Sequence, residues 1–240
     1  MPPTDLQQTP DAARPLAVVL LSGGMDSCVA AVVARRSFDL ALFHANYGQR
    51  TVKRELAAFR AIAEAFQAAY VMEANLGFLG QVGGSALTDP KIPVPLDEEH
   101  PAGIPATYVP FRNTNLIAAA VAWAEVIGAG AVFIGANILD NPGYPDCRPE
   151  YFQALNRVIT LGTRPESHIQ VHTPLIDLDK ASIVRLGLEL GAPLELTWSC
   201  YQSERLACGH CSACRLRLKG FAQAGQRDPI PYAPDAPRLF

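Results

Sequence analysis

The segment "LAVVLLSGGMDSCVAA", residues 16–31, joins a short apolar run to a helical pattern through a pair of glycines. The apolar run, residues 16–21, is bounded by glycine and predicts a buried strand. Small residues from Asp26 to Ser37 predict a helix directly behind it. Glycines that let backbone N–H groups approach closely, followed by a helix N-terminus, are typical of an anion-binding site. We therefore expect the loop at residues 22–27 to hold a negatively charged ligand.

The same alternation of strand and helix continues along the chain and is interrupted only between residues 74 and 111, where glycine and proline are frequent. A connection of that length predicts a lid or a substrate loop. The pattern as a whole predicts an α/β fold, with a Rossmann-like parallel sheet and helices on both faces. Further strands are expected at 40–46, 68–72, 131–137 and 169–174, and further helices near 56–66, 113–127, 150–161, 179–191 and 212–224.

The composition argues against several classes of protein. The 240 residues carry a net charge of −3 and no run of lysines and arginines, which argues against a nucleic-acid partner. Residues 1–15 lack an apolar core and are expected to be a disordered leader, not a secretory signal. The apolar stretch 116–136 is broken by Glu125 and two glycines, so no membrane span is expected. A cytoplasmic protein is the consequence.

Four of the six cysteines cluster near the C-terminus at Cys200, Cys208, Cys211 and Cys214. Four thiolates at these spacings suit one tetrahedral Zn²⁺ with no open position, hence a structural site, one ion per chain. An iron–sulfur cluster also takes four thiolates, and a free sulfur-transfer thiol is a third possibility. We expect a zinc-binding segment at residues 196–228, after an α/β domain at 16–195 and before a proline-rich tail at 229–240.

The glycine loop differs from the common nucleotide motifs, because it has neither the lysine of a Walker loop nor a third glycine for a dinucleotide. Its residues 22–27, "SGGMDS", resemble the pyrophosphate loop of the N-type ATP pyrophosphatases, a family with an adenine nucleotide alpha hydrolase-like fold. The resemblance implies cleavage of ATP between its α- and β-phosphates, with Asp26 and Ser27 in catalysis and Asp26 helping to place Mg²⁺. The nucleotide-binding residues that it implies are Leu21, Ser22, Gly23, Gly24, Met25, Asp26, Ser27 and Cys28.

Further segments stand in order behind this loop: "YGQR" (47–50), "VPFRNTNL" (109–116), "GYPDCRPEY" (143–151), "HTPLIDLDKASIVRLG" (172–187) and "LTWSCY…CGHCSACRLRLKGF" (196–221). Together they resemble the 7-cyano-7-deazaguanine synthase family of queuosine biosynthesis over roughly residues 16–228. The resemblance implies a ligase that converts 7-carboxy-7-deazaguanine and ammonia to the nitrile through adenylated intermediates, with two ATP consumed. It also implies a homodimer.

Residues for the substrate are assigned from position along the chain. Arg112, expected in catalysis, and Asn113 open a helix and suit the substrate carboxylate or the α-phosphate, although an arginine there also packs a loop against a sheet. Tyr144, Asp146 and Arg148 follow the fourth strand, on the edge where open α/β sheets bind ligands. Asp146 either reads the purine-like edge or caps the next helix. Arg50, after the second strand, is expected to meet phosphate.

Two other functions fit parts of the pattern. A tRNA thiolase would need a catalytic cysteine and a basic RNA surface, and a non-catalytic nucleotide binder would not need the acid and the serines of the loop. A related ligase that stops at the amide is indistinguishable at this level. Cys28 and Cys147 are expected to be packing residues, since adenylation needs no covalent nucleophile.

Overall fold

The structure, a computed structural model, describes residues 14–95, 103–140 and 143–237, so the expected leader lies almost wholly outside the described residues. Within these ranges five strands alternate with seven α-helices. The strands are β1 (Leu16–Leu20), β2 (Asp39–Asn46), β3 (Tyr70–Asn75), β4 (Ala131–Ile134) and β5 (Gln170–His172). The helices are α1 (Met25–Arg35), α2 (Val52–Phe66), α3 (Phe78–Val82), α4 (Arg112–Ile127), α5 (Pro149–Gly162), α6 (Lys180–Glu189) and α7 (Ser212–Gln223).

The strands form one parallel sheet in the order β3-β2-β1-β4-β5. In the centre, Val18 of β1 lies opposite Ala41 of β2 on one side and Val132 of β4 on the other. The chain steps outward from β1 to β3 and then returns past β1 to β4 and β5. The carboxyl ends of β1 and β4 therefore flank the point where the direction of crossover reverses, which is where open α/β sheets bind ligands.

Alternation along β1 gives the sheet two apolar faces. Ala17 and Val19 pack with α1, α2, α6 and α7, whereas Val18 and Leu20 pack with α4 and α5. All four residues are buried, as expected for a central parallel strand. The predicted parallel sheet with helices on both faces is confirmed.

The apolar stretch at residues 116–136 forms most of α4 and all of β4, as predicted. No helix in the described part of the chain is both long and apolar enough to cross a membrane. β4 ends at Ile134, three residues before the predicted end, where Gly135 meets the first turn of α1. A Cβ at Gly135 would lie 2.7 Å from the carbonyl carbon of Asp26, so only glycine fits at this crossing.

β3 begins two residues later than predicted. Gln67 adopts the left-handed conformation with φ of 52°, and the Ala68 amide bonds back to Ala63, so the expected strand residues 68 and 69 lie in the turn that follows α2. The strand lies at the edge of the sheet, where Tyr70 and Val71 are half exposed. Its apolar run therefore carries little information about where the strand starts.

The connection between β3 and α4 is held to the body of the protein by Arg50. Its guanidinium donates hydrogen bonds to the carbonyls of Ala86, Asp89 and Ile92. The expectation that Arg50 meets phosphate is therefore wrong: this side chain fastens a loop. Residues 96–102, within the expected lid, lie outside the described part of the chain.

A buried ion pair ties the C-terminal residues to α7. The guanidinium of Arg217 is 1% exposed and makes two hydrogen bonds to the Asp228 carboxylate, at 2.7 and 3.0 Å. It also donates to the Thr197 hydroxyl, and the Tyr232 hydroxyl donates to Asp228 at 2.7 Å. Since these bonds run from the expected zinc-binding segment into residue 232, the tail packs as part of the same unit.

We expect Asp228→Asn to lower the free energy of unfolding by about 3–5 kcal/mol, because it leaves the Arg217 charge buried without a counter-charge. Urea denaturation followed by circular dichroism measures this. Glu73→Gln is the control: it breaks the ion pair with Arg60, which is exposed, and should barely move the transition midpoint. Equal small effects of both substitutions would contradict the structural role given to Asp228.

Candidate functional site

The glycine loop between β1 and α1 is fixed by hydrogen bonds inside it. The Ser22 and Ser27 hydroxyls lie 3.1 Å apart. The Ser22 hydroxyl also accepts from the Gly24 amide, and the Ser27 hydroxyl donates to the Gly24 carbonyl. Gly23, with φ of 90°, accepts from the Trp198 amide at 2.8 Å. The loop is thus preorganised in front of the α1 N-terminus, in the arrangement that favours an anion.

A cavity of about 270 Å³ opens above this loop at the switch point of the sheet. Of the eight predicted nucleotide-binding residues, Gly23 and Cys28 do not line it: Gly23 packs against α2, and Cys28 is fully buried. The other six do line it, namely Leu21, Ser22, Gly24, Met25, Asp26 and Ser27.

Lys180 bridges two carboxylates on the floor of this cavity. Its Nζ lies 2.8 Å from Asp26 and 2.9 Å from Asp140, which follows β4. Burial alone would lower the pKa of Lys180, but the two acids raise it, so the lysine stays charged. Burial also raises the pKa of Asp140, an effect that Lys180 partly offsets. The three groups place fixed charge beside the anion loop.

Our sequence analysis missed Lys180, although one signal was present. Asp179 caps α6 by accepting from the Ser182 amide at 2.7 Å, so Lys180 is the first residue of that helix. A cation at a helix N-terminus opposes the helix dipole and is locally unfavourable. A lysine at that position, directly after a good cap, indicates a role outside the helix.

Arg112 and Asn113, at the start of α4, line the other end of the cavity together with Tyr144. The Arg112 guanidinium lies over the Tyr47 ring, 5.7 Å from its centroid. Its Nε is buried and has no hydrogen-bond partner among the described residues. A buried N–H without a partner is costly and commonly marks a position that a ligand completes. The Tyr144 hydroxyl donates to Thr107 at 2.7 Å.

Asp146 and Arg148 do not line this cavity and instead border a shallow surface groove with Tyr108 and Phe111. The Asp146 carboxylate accepts from the Asn113 amide at 3.0 Å, and its backbone carbonyl accepts from the Asn113 side chain. Asp146 thus caps α4, the helix before it in the chain, and orients Asn113. Arg148 is exposed and bonds to the Pro145 carbonyl.

The two cysteines outside the C-terminal cluster are buried thiols. Burial raises the pKa of Cys28 to about 12 and the pKa of Cys147 to about 11. Cys147 lines the cavity but stays protonated near neutral pH, when it is a poor nucleophile. Its sulfur accepts from the Asn113 side chain at 3.4 Å, which fits the predicted packing role.

A further carboxylate that our sequence analysis missed, Glu55 in the first turn of α2, also lines the cavity. It accepts hydrogen bonds from Gln49 at 3.0 Å and from Thr51 at 2.8 Å. Burial raises the pKa of Glu55, and the two donors and the charge of Arg112 lower it in part. The segment "YGQR" contains its partner Gln49 but not the acid itself.

The four C-terminal cysteines converge on one point. Their sulfur atoms all lie within 4.8 Å of one another, and the sulfurs of Cys208 and Cys214 are 3.9 Å apart. A tetrahedral zinc with Zn–S bonds of the usual length needs sulfurs about 3.8 Å apart. Backbone N–H groups of residues 202, 203 and 208 point at the Cys200 sulfur, as is common for bound thiolates. The cluster fits a structural metal site.

Comparisons with known proteins identify relatives of this chain. The family model described as "Queuosine biosynthesis protein QueC" matches residues 16–225. A protein of Chlorobium chlorochromatii (strain CaD3) named 7-cyano-7-deazaguanine synthase is 54% identical over 90% of this chain and 95% of its own. A protein of the same name from Acidobacterium capsulatum is 52% identical over 92% of this chain and 97% of its own.

Among solved structures, NMN synthetase from Francisella tularensis is similar at 15% identity with a TM-score of 0.42, over 76% of this chain and 63% of that one.

We expect the purified protein to carry about one metal ion per chain, because four sulfurs close one site, and expect Cys211→Ser to lose it. Elemental mass spectrometry of the two proteins measures the ratio. Cys28→Ala removes a buried cysteine outside the cluster and should keep the metal. Retention of metal by the Cys211 variant, or its loss from the Cys28 variant, would contradict the site.

Proposed function

The chain belongs to the queuosine biosynthesis protein QueC family, and on this basis we propose that it is an ATP-dependent 7-cyano-7-deazaguanine synthase. The main support for the proposal is that the pyrophosphate-type loop, Lys180 and Arg112 all line one cavity. A ligase that adenylates a small heterocyclic acid needs these groups together: an anion loop, a fixed cation and a substrate-facing guanidinium.

The first half of the proposed reaction makes an amide. A carboxylate oxygen of 7-carboxy-7-deazaguanine attacks the α-phosphorus of ATP, and the bond to the bridging oxygen breaks to release pyrophosphate. Ammonia then attacks the acyl carbon. AMP leaves with the C–O bonding electrons, and the nitrogen loses a proton. Adenylation is required because a free carboxylate is a poor electrophile.

The second half removes the remaining oxygen. The amide oxygen attacks a second ATP at the α-phosphorus and again releases pyrophosphate. Loss of AMP, together with the two N–H protons, leaves the carbon–nitrogen triple bond. Because two oxygens leave, two ATP are consumed. No enzyme nucleophile takes part, which agrees with the protonated thiol of Cys147.

We assign the residues as follows. Ser22, Ser27 and the loop amides hold the leaving pyrophosphate, and Lys180 contacts its phosphates. Mg²⁺ bound with ATP would neutralise phosphate charge, and the carboxylates of Asp26 and Asp140 are the oxygen ligands suited to hold it. Arg112, Asn113 and Tyr144 contact the deazapurine and its adenylate, and Asp146 positions Asn113.

Three further features complete the proposal. Zinc is the metal that we propose for the cysteine cluster, since four thiolates leave no open position for catalysis. A reducing compartment preserves such thiolates, which favours the cytoplasm. The family resemblance favours a homodimer, with small molecules and no nucleic acid as substrates.

Incubation of the protein with ATP, Mg²⁺, ammonia and 7-carboxy-7-deazaguanine should yield AMP and the nitrile in a ratio of about two to one, because each removed oxygen leaves on AMP. Mass spectrometry of the products measures this ratio. ADP without AMP would exclude the proposed chemistry, and accumulation of the amide would assign the shorter reaction.

Asp26→Asn should reduce AMP formation by at least about 100-fold while the protein stays folded, since it removes one charge at the phosphates. A coupled pyrophosphate assay measures the rate, and a thermal melt checks the fold. Asp177→Asn changes an exposed acid near α6 and should turn over at the wild-type rate. Undiminished turnover of the Asp26 variant would remove this residue from the mechanism.

A further inference from the structure

Glu55 differs from the other carboxylates of the cavity. Among the described residues that line it, Asp26 and Asp140 both share the cation of Lys180. No described cation lies within salt-bridge distance of Glu55. The hydrogen-bond donors to its carboxylate are the neutral side chains of Gln49 and Thr51. A partly buried acid held in this way is available to a ligand in the cavity.

The hydrogen bonds already made leave one position open on each oxygen. Gln49 donates to Oε2, and Thr51 donates to Oε1. An ionised carboxylate accepts about four hydrogen bonds, two on each oxygen. The remaining acceptor positions therefore suit two parallel N–H donors, one for each oxygen.

The carboxylate is also held in a fixed orientation. Gln49 and Thr51 are 5% and 3% exposed, and the Gln49 carbonyl oxygen accepts from the Tyr47 amide at 2.9 Å. That bond identifies the Gln49 nitrogen as the group facing Glu55. Side chains locked by a second layer of hydrogen bonds are what a precise recognition site requires.

The walls of the cavity that contains Glu55 suit a flat heterocycle. Four aromatic residues line the same cavity as Glu55, namely Phe43, Tyr47, Trp198 and Tyr201. Aromatic rings favour stacked or edge contacts with another planar ring. The ligand that fits is therefore planar and presents two adjacent N–H donors along one edge.

We propose that Glu55 is the residue that selects the heterocycle, by accepting hydrogen bonds from the ring N–H and the exocyclic amino group of its 2-amino-4-oxopyrimidine edge. This inference rests on the proposed function and deepens it. Adenine does not fit, because its amino group neighbours a ring nitrogen with a lone pair, which would face a lone pair of Glu55. Asp146, expected to read this edge, lies outside the cavity.

Two N–H donors would also stabilise the ionised form of Glu55, which burial disfavours. An analogue without the exocyclic amino group would leave the second acceptor position of one carboxylate oxygen unfilled. Loss of a hydrogen bond to a buried charged group is more costly than loss of an ordinary one. Selection against such an analogue is the expected result.

The test is a double cycle of two enzymes and two substrates. In the wild-type protein, replacing 7-carboxy-7-deazaguanine by 7-carboxy-7-deazahypoxanthine should lower kcat/KM by about 10- to 100-fold, mainly through KM. In Glu55→Gln, which offers one acceptor and one donor, the same replacement should change kcat/KM by less than about 3-fold. Glu64→Gln, at an exposed acid of the same helix, should discriminate as the wild type does.

Three outcomes would overturn the role of Glu55. The first is equal discrimination by the wild type and the Glu55 variant, and the second is a variant whose only change is a higher KM for ammonia. The third is a wild-type protein that uses both acids equally, a result that needs no variant and is independent of whether Glu55→Gln folds. If the wild type makes no AMP from either acid, the proposed function itself fails. If it makes AMP but its preference between the two acids is the same as that of Glu55→Gln, only this inference fails.

Discussion

The contact of Lys180 with Asp26 and Asp140 is the interaction on which the rest of the site depends. It joins the first turn of α1, the segment after β4 and the start of α6 at one buried point. Burial raises the pKa of Asp140, and the charge of Lys180 partly offsets this effect. The positions of the anion loop and of the opposite wall of the cavity are therefore coupled through a single ammonium group.

The local parts of this architecture were predictable from the sequence. The run from Leu16 to Leu20, the glycine loop and the small-residue helix behind it are set by neighbours in the chain, and the structure confirms them. The helix predicted near residues 179–191 is observed as α6, with Asp179 as its N-cap and Gly191, with φ of 67°, just after its end. Such features need only local hydrogen bonding and burial, which a sequence pattern records directly.

Contacts between distant segments were not predictable in this way. Arg50 was expected to meet phosphate because it follows a strand at the correct edge, yet its side chain turns toward three carbonyls about forty residues later. Asp146 lies at the expected edge too, but its carboxylate faces the N-terminus of α4. The end of a strand fixes where a residue lies, whereas the direction of its side chain depends on partners that local periodicity does not encode.

The ion pair of Arg217 and Asp228 also links the ligand cavity to the segment that follows α7. Arg217 forms part of the cavity wall, and its charge is neutralised by Asp228, eleven positions later. A buried arginine that loses its counter-charge is strongly destabilising, so removal of Asp228 would disturb the cavity wall at Arg217. A sequence change after α7 can therefore alter ligand binding, although no described residue of that segment lines the cavity.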